Sequence, residues 1–251
     1  MNTNVAQLKT ALAQFIGEDR LIDDPLRTLA YGTDASFYRL IPQLVVKLVN
    51  EDEVSRLLRL AKKFATPVTF RASGTSLSGQ AITDSVLAVL EPNAWRDYKV
   101  LHQGRAIRLQ PGVIGARANE YLLPLGRKIG PDPASINAAR IGGIAANNAS
   151  GMCCGTAQNS YQTLLSMRVI LADGSVLDTA SEASRGAFRL SHQSLLQQLG
   201  KLAQDCRDNQ ALAARIRHKF SIKNTTGYSL NALVDFRDPI DILQQLMIGS
   251  E

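Results

Sequence analysis

From Arg71 to Ala81 the chain reads RASGTSLSGQA: two glycines, four hydroxyl side chains and one arginine, with Leu77 as its only large apolar residue. Small residues let a backbone come close to a ligand, and the N–H groups of such a loop, helped by the Thr75 and Ser76 hydroxyls, can surround a diphosphate. An ordinary polar turn has a similar composition, and on residues alone the two readings stand level. Gly74 and Gly79 have the GxxxxG spacing of an ATP-binding P-loop, but Gln80 and Ala81 stand where that motif needs Lys and Ser/Thr. No lysine is offered to phosphates and no hydroxyl to magnesium. The GxGxxG dinucleotide fingerprint is absent here, and no clear amphipathic helix follows the glycines.

A second stretch, GPDPASINAARIGGIAANNASGMCCG, runs from Gly130 to Gly155. Pro131 and Pro133 set a turn around Asp132, and Gly142, Gly143, Ala145, Ala146, Ala149, Ser150 and Gly151 leave little side-chain bulk, so a flat ligand can lie there. Close helix packing explains the small residues too, although Asn147 and Asn148 add amides that packing does not require. A third stretch, KNTTGYSLNAL from Lys223, is a donor-rich glycine turn leading into an apolar helical pattern. Its Lys223 and Tyr228 are read as a solvated lysine and a packed tyrosine. Cys153, Cys154 and Cys206 make no disulfide framework, and His102, His192 and His218 have no metal-ligand spacing.

Regular elements must position these stretches. PQLVVKLV reads as a strand, and Asn50 with Glu53 reads as a capping box opening a helix with Val54, Leu57, Leu58, Ala61 and Ala65 on one face. ATPVTFR, entered through Pro67, is a second strand running straight into the loop, and SVLAVLE is a third. Ligands of parallel sheets collect at such strand ends. VILADGSVL reads as a hairpin closed by a type I′ turn at Asp173–Gly174, and Asp238–Pro239 opens a last helix.

With 251 residues and 45% hydrophobic content the chain can bury a substantial core in one domain or two lobes. No run of about 18 apolar residues appears, and acidic residues come too early at the start for a secretory signal. A cytoplasmic protein with at most peripheral membrane contact is expected. The net charge of +6 permits nucleic-acid binding, but aromatics are only 6%, few for base stacking, and the one basic cluster, ARIRHKF, reads as a solvated helix face. A site for anionic ligands accounts for the charge better.

Taken in order, RASGTSLSGQA, GPDPAS, IGGIAANNASG, VILADGSVLDT and KNTTGYSL resemble the PCMH-type FAD-binding domain of the vanillyl-alcohol oxidase flavoprotein family, nearest the D-lactate, glycolate and D-2-hydroxyglutarate dehydrogenases. The resemblance implies an α+β fold of two subdomains with FAD extended between them: a helical arm over 1–39, a small parallel-strand α/β subdomain over 40–98, and a larger mixed or antiparallel sheet with flanking helices over 99–251. It places Arg71, Ala72, Ser73, Gly74, Thr75 and Ser76 around the FAD pyrophosphate, and Asp132, Ser135, Gly142, Gly143, Asn148 and Gly151 along the flavin and ribityl side. Relatives that attach flavin covalently carry a histidine in the loop; none stands here, so noncovalent FAD is implied. Ile144 replaces a residue that is polar in many relatives.

The same resemblance implies an N-terminal fragment of a larger oxidoreductase, because relatives continue past GSE into a substrate-covering cap and a metal-binding stretch, and some long bacterial members add an iron-sulfur region. Its partners would be a small 2-hydroxy acid and an electron acceptor, with no nucleic acid. No catalytic acid or base and no metal ligand is assigned to this segment. A non-redox nucleotide-binding or regulatory module is the alternative.

Overall fold

The computed structural model describes residues 2–225 and 227–250; Thr226 and Glu251, which belong to the KNTTGYSL and GSE motifs, lie outside the described residues. The chain forms two compact units, one of Met1–Lys128, Ser135–Gly143 and Ile170–Val176, the other of Ile129–Ala134, Ile144–Val169 and Leu177–Glu251. Position 98/99, where the motifs suggested a subdomain boundary, falls inside the first unit.

The first unit contains α1 (Thr3–Leu12), β1 (Leu21–Ile22), α2 (Pro25–Ala30), β2 (Leu44–Leu48), α3 (Glu51–Lys63), β3 (Val68–Arg71), β4 (Val86–Leu90), β5 (Tyr98–Leu101), β6 (Ala106–Leu109) and α4 (Gly115–Leu122). Its sheet has the order β1-β2-β4-β3. β4 pairs in parallel with both β2 and β3, Val86 lying opposite Leu44 on one side and Val68 on the other. The near-continuous apolar runs of β2 and β4 follow from this, since both are buried along almost their whole length. β1 adds an antiparallel edge, Leu21 opposite Val46, and β5 and β6 form a separate antiparallel pair.

The residues before Leu40 are built into this core. Val5, Leu8 and Leu12 of α1 are fully buried in one cluster with Leu44, Leu48, Leu57 and Val86. Arg20 clamps Glu53 of α3 through two hydrogen bonds, 2.8 and 2.9 Å. Asn50 caps α3 as expected, its Oδ1 accepting from Glu53 N at 2.9 Å. The reciprocal half of the box is displaced by one residue, because Glu53 Oε2 accepts from Val49 N at 2.9 Å while also holding Arg20. α3 ends before Ala65, which is exposed with φ +47, so the apolar face stops at Ala61.

α5 (Ile141–Ala146) is shared by the two units. The second unit continues with α6 (Ser160–Thr163), and the hairpin β7 (Arg168–Ile170) and β8 (Val176–Asp178) is likewise shared. Gly174 N donates to Leu171 O and Leu171 N to Ser175 O, with Gly174 at φ +76. Asp173 is not in the left-handed region, so the hairpin has a three-residue loop, a type I turn followed by a left-handed glycine, in place of the expected type I′ turn. The strands after Tyr98 thus pair only two by two among the described residues, and the α+β class is met with helices as the bulk of the second unit.

Those helices are α7 (Glu182–Ser191), α8 (Gln193–Asp208), α9 (Gln210–Phe220), α10 (Ala232–Asp235) and α11 (Pro239–Leu246). Ala203, Ala213, Ile216, Leu233, Ile242 and Ile248 share one core with Tyr161. ARIRHKF behaves as read from the sequence: Ile216 is buried, and Arg215, Arg217 and Lys219 are exposed. Asp238 caps α11 by accepting from Ile240 N at 2.8 Å and pairs with Arg189 at 2.6 Å and Arg185 at 3.3 Å. Burial opposes its charge, but the cap bond and the two arginines outweigh it and hold the carboxyl below its ordinary pKa.

Two measurements check this packing. Leu12→Ala should cost about 2–5 kcal/mol in urea unfolding; a loss below about 1 kcal/mol would show that α1 is dispensable to the core. A carboxylate with a depressed folded pKa stabilises above its unfolded value, near about 3.9, and that stabilisation is lost as the pH falls through the folded value. Asp238→Ala should therefore cost about 1 kcal/mol at neutral pH and weaken the acid dependence of the melting temperature below about pH 4. An acid limb identical to that of the parent would reject this role.

Candidate functional site

The loop leaves β3 at the carboxyl ends of the parallel strands and is closed by its own arginine. Arg71 Nε donates to Ala81 O at 2.7 Å, and Nη2 donates to the same oxygen. The side chain is buried, which lowers its pKa from the ordinary arginine value, with the charge of Asp34 working the other way. A guanidinium stays protonated even so. Arg71 therefore braces the loop with its side chain and leaves the backbone to face a ligand.

Other side chains hold the loop open. Ser73 Oγ donates to Ala138 O at 2.7 Å, and Ser76 Oγ donates to Gln80 Oε1. Ala35 N donates to Gly74 O at 2.9 Å, and Asp34 Oδ2 accepts from Ala81 N at 3.4 Å. Among the described residues nothing accepts from the backbone N–H of Ser73, Gly74 or Thr75, and the Thr75 hydroxyl has no partner. Gly74 has φ +66, so a glycine is needed for backbone conformation rather than for space: an added Cβ would lie 3.4 Å from Arg71 Cδ. Successive N–H groups without acceptors around a left-handed glycine are an arrangement able to receive an anion.

The same unit brings the turn at Ser135 beside the loop, because Ser135 O accepts from Ala138 N at 2.8 Å and Ala139 N at 2.7 Å while Ser73 holds Ala138. Gly142 is fixed by packing. Its N donates to Pro111 O at 3.0 Å, and a Cβ would approach Pro111 Cβ to 2.9 Å. Gly143 has nothing within 4 Å of an added Cβ, so its face of α5 is open.

In the second unit Asp132 and Gly151 are in direct backbone contact, and a Cβ on Gly151 would overlap the Asp132 carbonyl. Asn148 is buried with φ +47, and its Oδ1 accepts from Tyr161 N at 3.2 Å. Ile144 is buried in this structure. Lys223 is tied down rather than simply solvated, donating from Nζ to Ser150 O at 2.8 Å, and Tyr228 is 53% exposed rather than packed. Sequence reasoning missed the Asp34–Tyr38 segment, which braces the loop through Asp34 and Ala35 and sets the Tyr38 ring 3.1 Å from where a Cβ on Gly79 would lie. It lay inside a stretch read as an arm, and its Asp-Ala-Ser run carries no periodic signal.

A mixed sheet ending in a braced loop with acceptor-free N–H groups makes this an α+β protein whose strand-end loop is able to receive an anion. The same fold is seen in alkyldihydroxyacetonephosphate synthase, which matches with a TM-score of 0.58 and 21% identity over 69% of this chain and 38% of that one. Residues 42–180 match the FAD binding domain family, and the chain belongs to that family, as its five ordered motifs led us to expect. It is 28% identical over 234 residues to D-2-hydroxyglutarate dehydrogenase of Pantoea ananatis, covering 89% of this chain and 22% of that protein. It is 32% identical over 149 residues to the glycolate oxidase subunit GlcD of Escherichia coli K12, covering 59% of this chain and 30% of that protein. The chain thus spans less than a third of these two relatives.

Gly151→Ala tests the backbone contact directly. It should lower stability by about 2–4 kcal/mol, as for overpacking with little room to relax, while Gly143→Ala, in open space on a helix, should raise it by up to about 1 kcal/mol. Equal effects of the two in thermal melts would contradict the packing described.

Proposed function

We propose that this chain is the FAD-binding part of a dehydrogenase that oxidises a D-2-hydroxy acid, of the D-2-hydroxyglutarate, D-lactate or glycolate class, to the 2-oxo acid. The observation that carries the reading is the braced loop with acceptor-free N–H groups at Ser73, Gly74 and Thr75; the names of the relatives supply the substrate class. In this reading the segment Arg71 through Ser76 would hold the diphosphate, with Thr75 adding a hydroxyl, and Asp132, Ser135, Gly142, Gly143, Asn148 and Gly151 would contact the flavin and ribityl parts of FAD.

Bound noncovalently, FAD would supply the redox chemistry, a two-electron oxidation of the acid at its α-carbon. The chain's own residues do the holding. Free N–H groups fixed in place bind the diphosphate charge at little reorganisation cost. Gly142 and Gly151 let backbone segments meet, and the open face at Gly143 admits a flat ring.

Two preparations separate binding from turnover. The 251-residue chain should take up FAD, seen as flavin absorption on the protein after gel filtration, without oxidising any of the three acids. A polypeptide of the relatives' full length carrying this segment should oxidise at least one of them with an artificial electron acceptor. Gly74→Val should abolish FAD uptake at a folding cost of about 1–3 kcal/mol from its left-handed φ, and unchanged affinity would remove the loop from the site. Oxidation of none of the acids would leave FAD binding intact and reject the dehydrogenase assignment.

A further inference from the structure

Residues 96–128 of the first unit carry seven lysines and arginines against two carboxylates, Asp97 and Glu120, a net of +5 in a chain whose total is +6. All seven cations are exposed. They form no long run in the sequence, and the fold is what gathers them. Arg117 is held by Glu120, and Lys99 lies directly opposite Arg108 across β5 and β6, a placement of like charges that costs stability. The turn that joins those strands, His102–Gly104, packs against a second turn, Leu123–Leu125, that follows α4. A Cβ on Gly104 would lie 2.8 Å from Leu125 Cδ1 and 3.2 Å from Arg127 Cδ. Around the paired turns Arg105 and Arg127 have no acidic partner among the described residues, and beside them Leu123 is 73% and Leu125 46% exposed.

Exposed leucines among cations without carboxylates call for a partner that is apolar and anionic at once. A nucleic acid meets only the second need, and the rings that could serve its bases, Tyr98 and Tyr121, are already stacked on each other at 3.5 Å. An anionic bilayer meets both, with headgroup phosphates for the cations and acyl chains just beneath them for the leucines. We infer that the paired turns dock this unit on an anionic lipid surface, Leu123 and Leu125 entering the interface while Arg105 and Arg127 lie at the level of the lipid phosphates. The inference does not depend on the FAD reading given above.

Co-sedimentation of the 251-residue chain with vesicles of phosphatidylcholine alone, or of phosphatidylcholine and phosphatidylglycerol in equal parts, tests it. Binding should be at least about tenfold tighter to the anionic vesicles and should weaken as salt is raised. Equal binding to both would overturn the inference, and that arm needs no variant to fold. Arg105→Glu/Arg127→Glu should lose at least about tenfold on the anionic vesicles. Arg215→Glu/Arg217→Glu, the same charge change on the exposed face of α9, should bind nearly as the parent does. Equal losses in the two pairs would mean that net charge alone acts, and would overturn it. Leu123→Ser should weaken binding severalfold at every salt concentration. Parental binding by this variant would assign the cations to an acidic protein face, and a DNA duplex bound as tightly as the anionic vesicles would assign them to nucleic acid; either result would overturn the bilayer as the partner.

Discussion

The two hydrogen bonds from the Arg71 side chain to the Ala81 carbonyl are the constraint on which the first unit's site depends. β3 ends at Arg71 because the chain must leave the sheet there, and without a tie the next ten residues would be a long polar excursion with many conformations to lose. The arginine closes that excursion at its base. With the base fixed, Ser73 and Ser76 each hold one further point, through Ala138 and Gln80, and the Asp34–Ala35 segment holds two, Ala81 and Gly74. Every one of these contacts engages a side chain or a carbonyl of the loop, or an N–H at its far end. The N–H groups of Ser73, Gly74 and Thr75 are the ones left over, and it is these that the proposed diphosphate contact would use.

Much of this was legible in the sequence, for physical reasons that differ from place to place. β2, α3 and β4 announced themselves because the buried strands of a parallel sheet need unbroken apolar runs and the crossover helix needs a 3.6-residue period, while the edge strand β3 was marked by Pro67 at its entry and the loop at its end. The loop and the small-residue stretches were visible because composition limits what they can do. The N-terminal segment was not, since Val5, Leu8 and Leu12 look like any short amphipathic helix until a partner surface is known. Asp173–Gly174 misled on turn type because the same dipeptide serves both a two-residue turn and a type I turn followed by a left-handed glycine, and the choice lies in how the strands are spaced.

Arg71 shows how a motif residue changes meaning once its contacts are known. The family resemblance placed it, with the rest of the loop, around the pyrophosphate. Its burial and its two bonds to Ala81 make it a brace, so the positive potential it contributes acts at a distance while the direct contacts fall to neutral N–H groups. Such an arrangement favours a rigid site: neutral donors fixed by the fold need not reorganise when the anion arrives, whereas a long charged side chain loses rotamer freedom to reach it.

The glycines separate in the same way, and the separation bears on which of them carry information about a ligand. Gly142 is required by Pro111, Gly151 by the Asp132 carbonyl, and Gly174 by Ser55 O, which would lie 2.6 Å from an added Cβ. In these three, packing inside the protein is a sufficient cause, so their presence would be the same with or without a bound nucleotide. Gly143 has no such cause. It sits in a helix, where glycine costs up to about 1 kcal/mol relative to alanine, and nothing in the protein occupies the space a methyl group would take. The same is true of Gly186 in α7, so open space beside a helical glycine does not by itself point to a ligand. Gly143 is therefore the glycine of this stretch that packing leaves unexplained, and the flavin contact proposed for α5 draws on it, while Gly142 beside it is accounted for by Pro111.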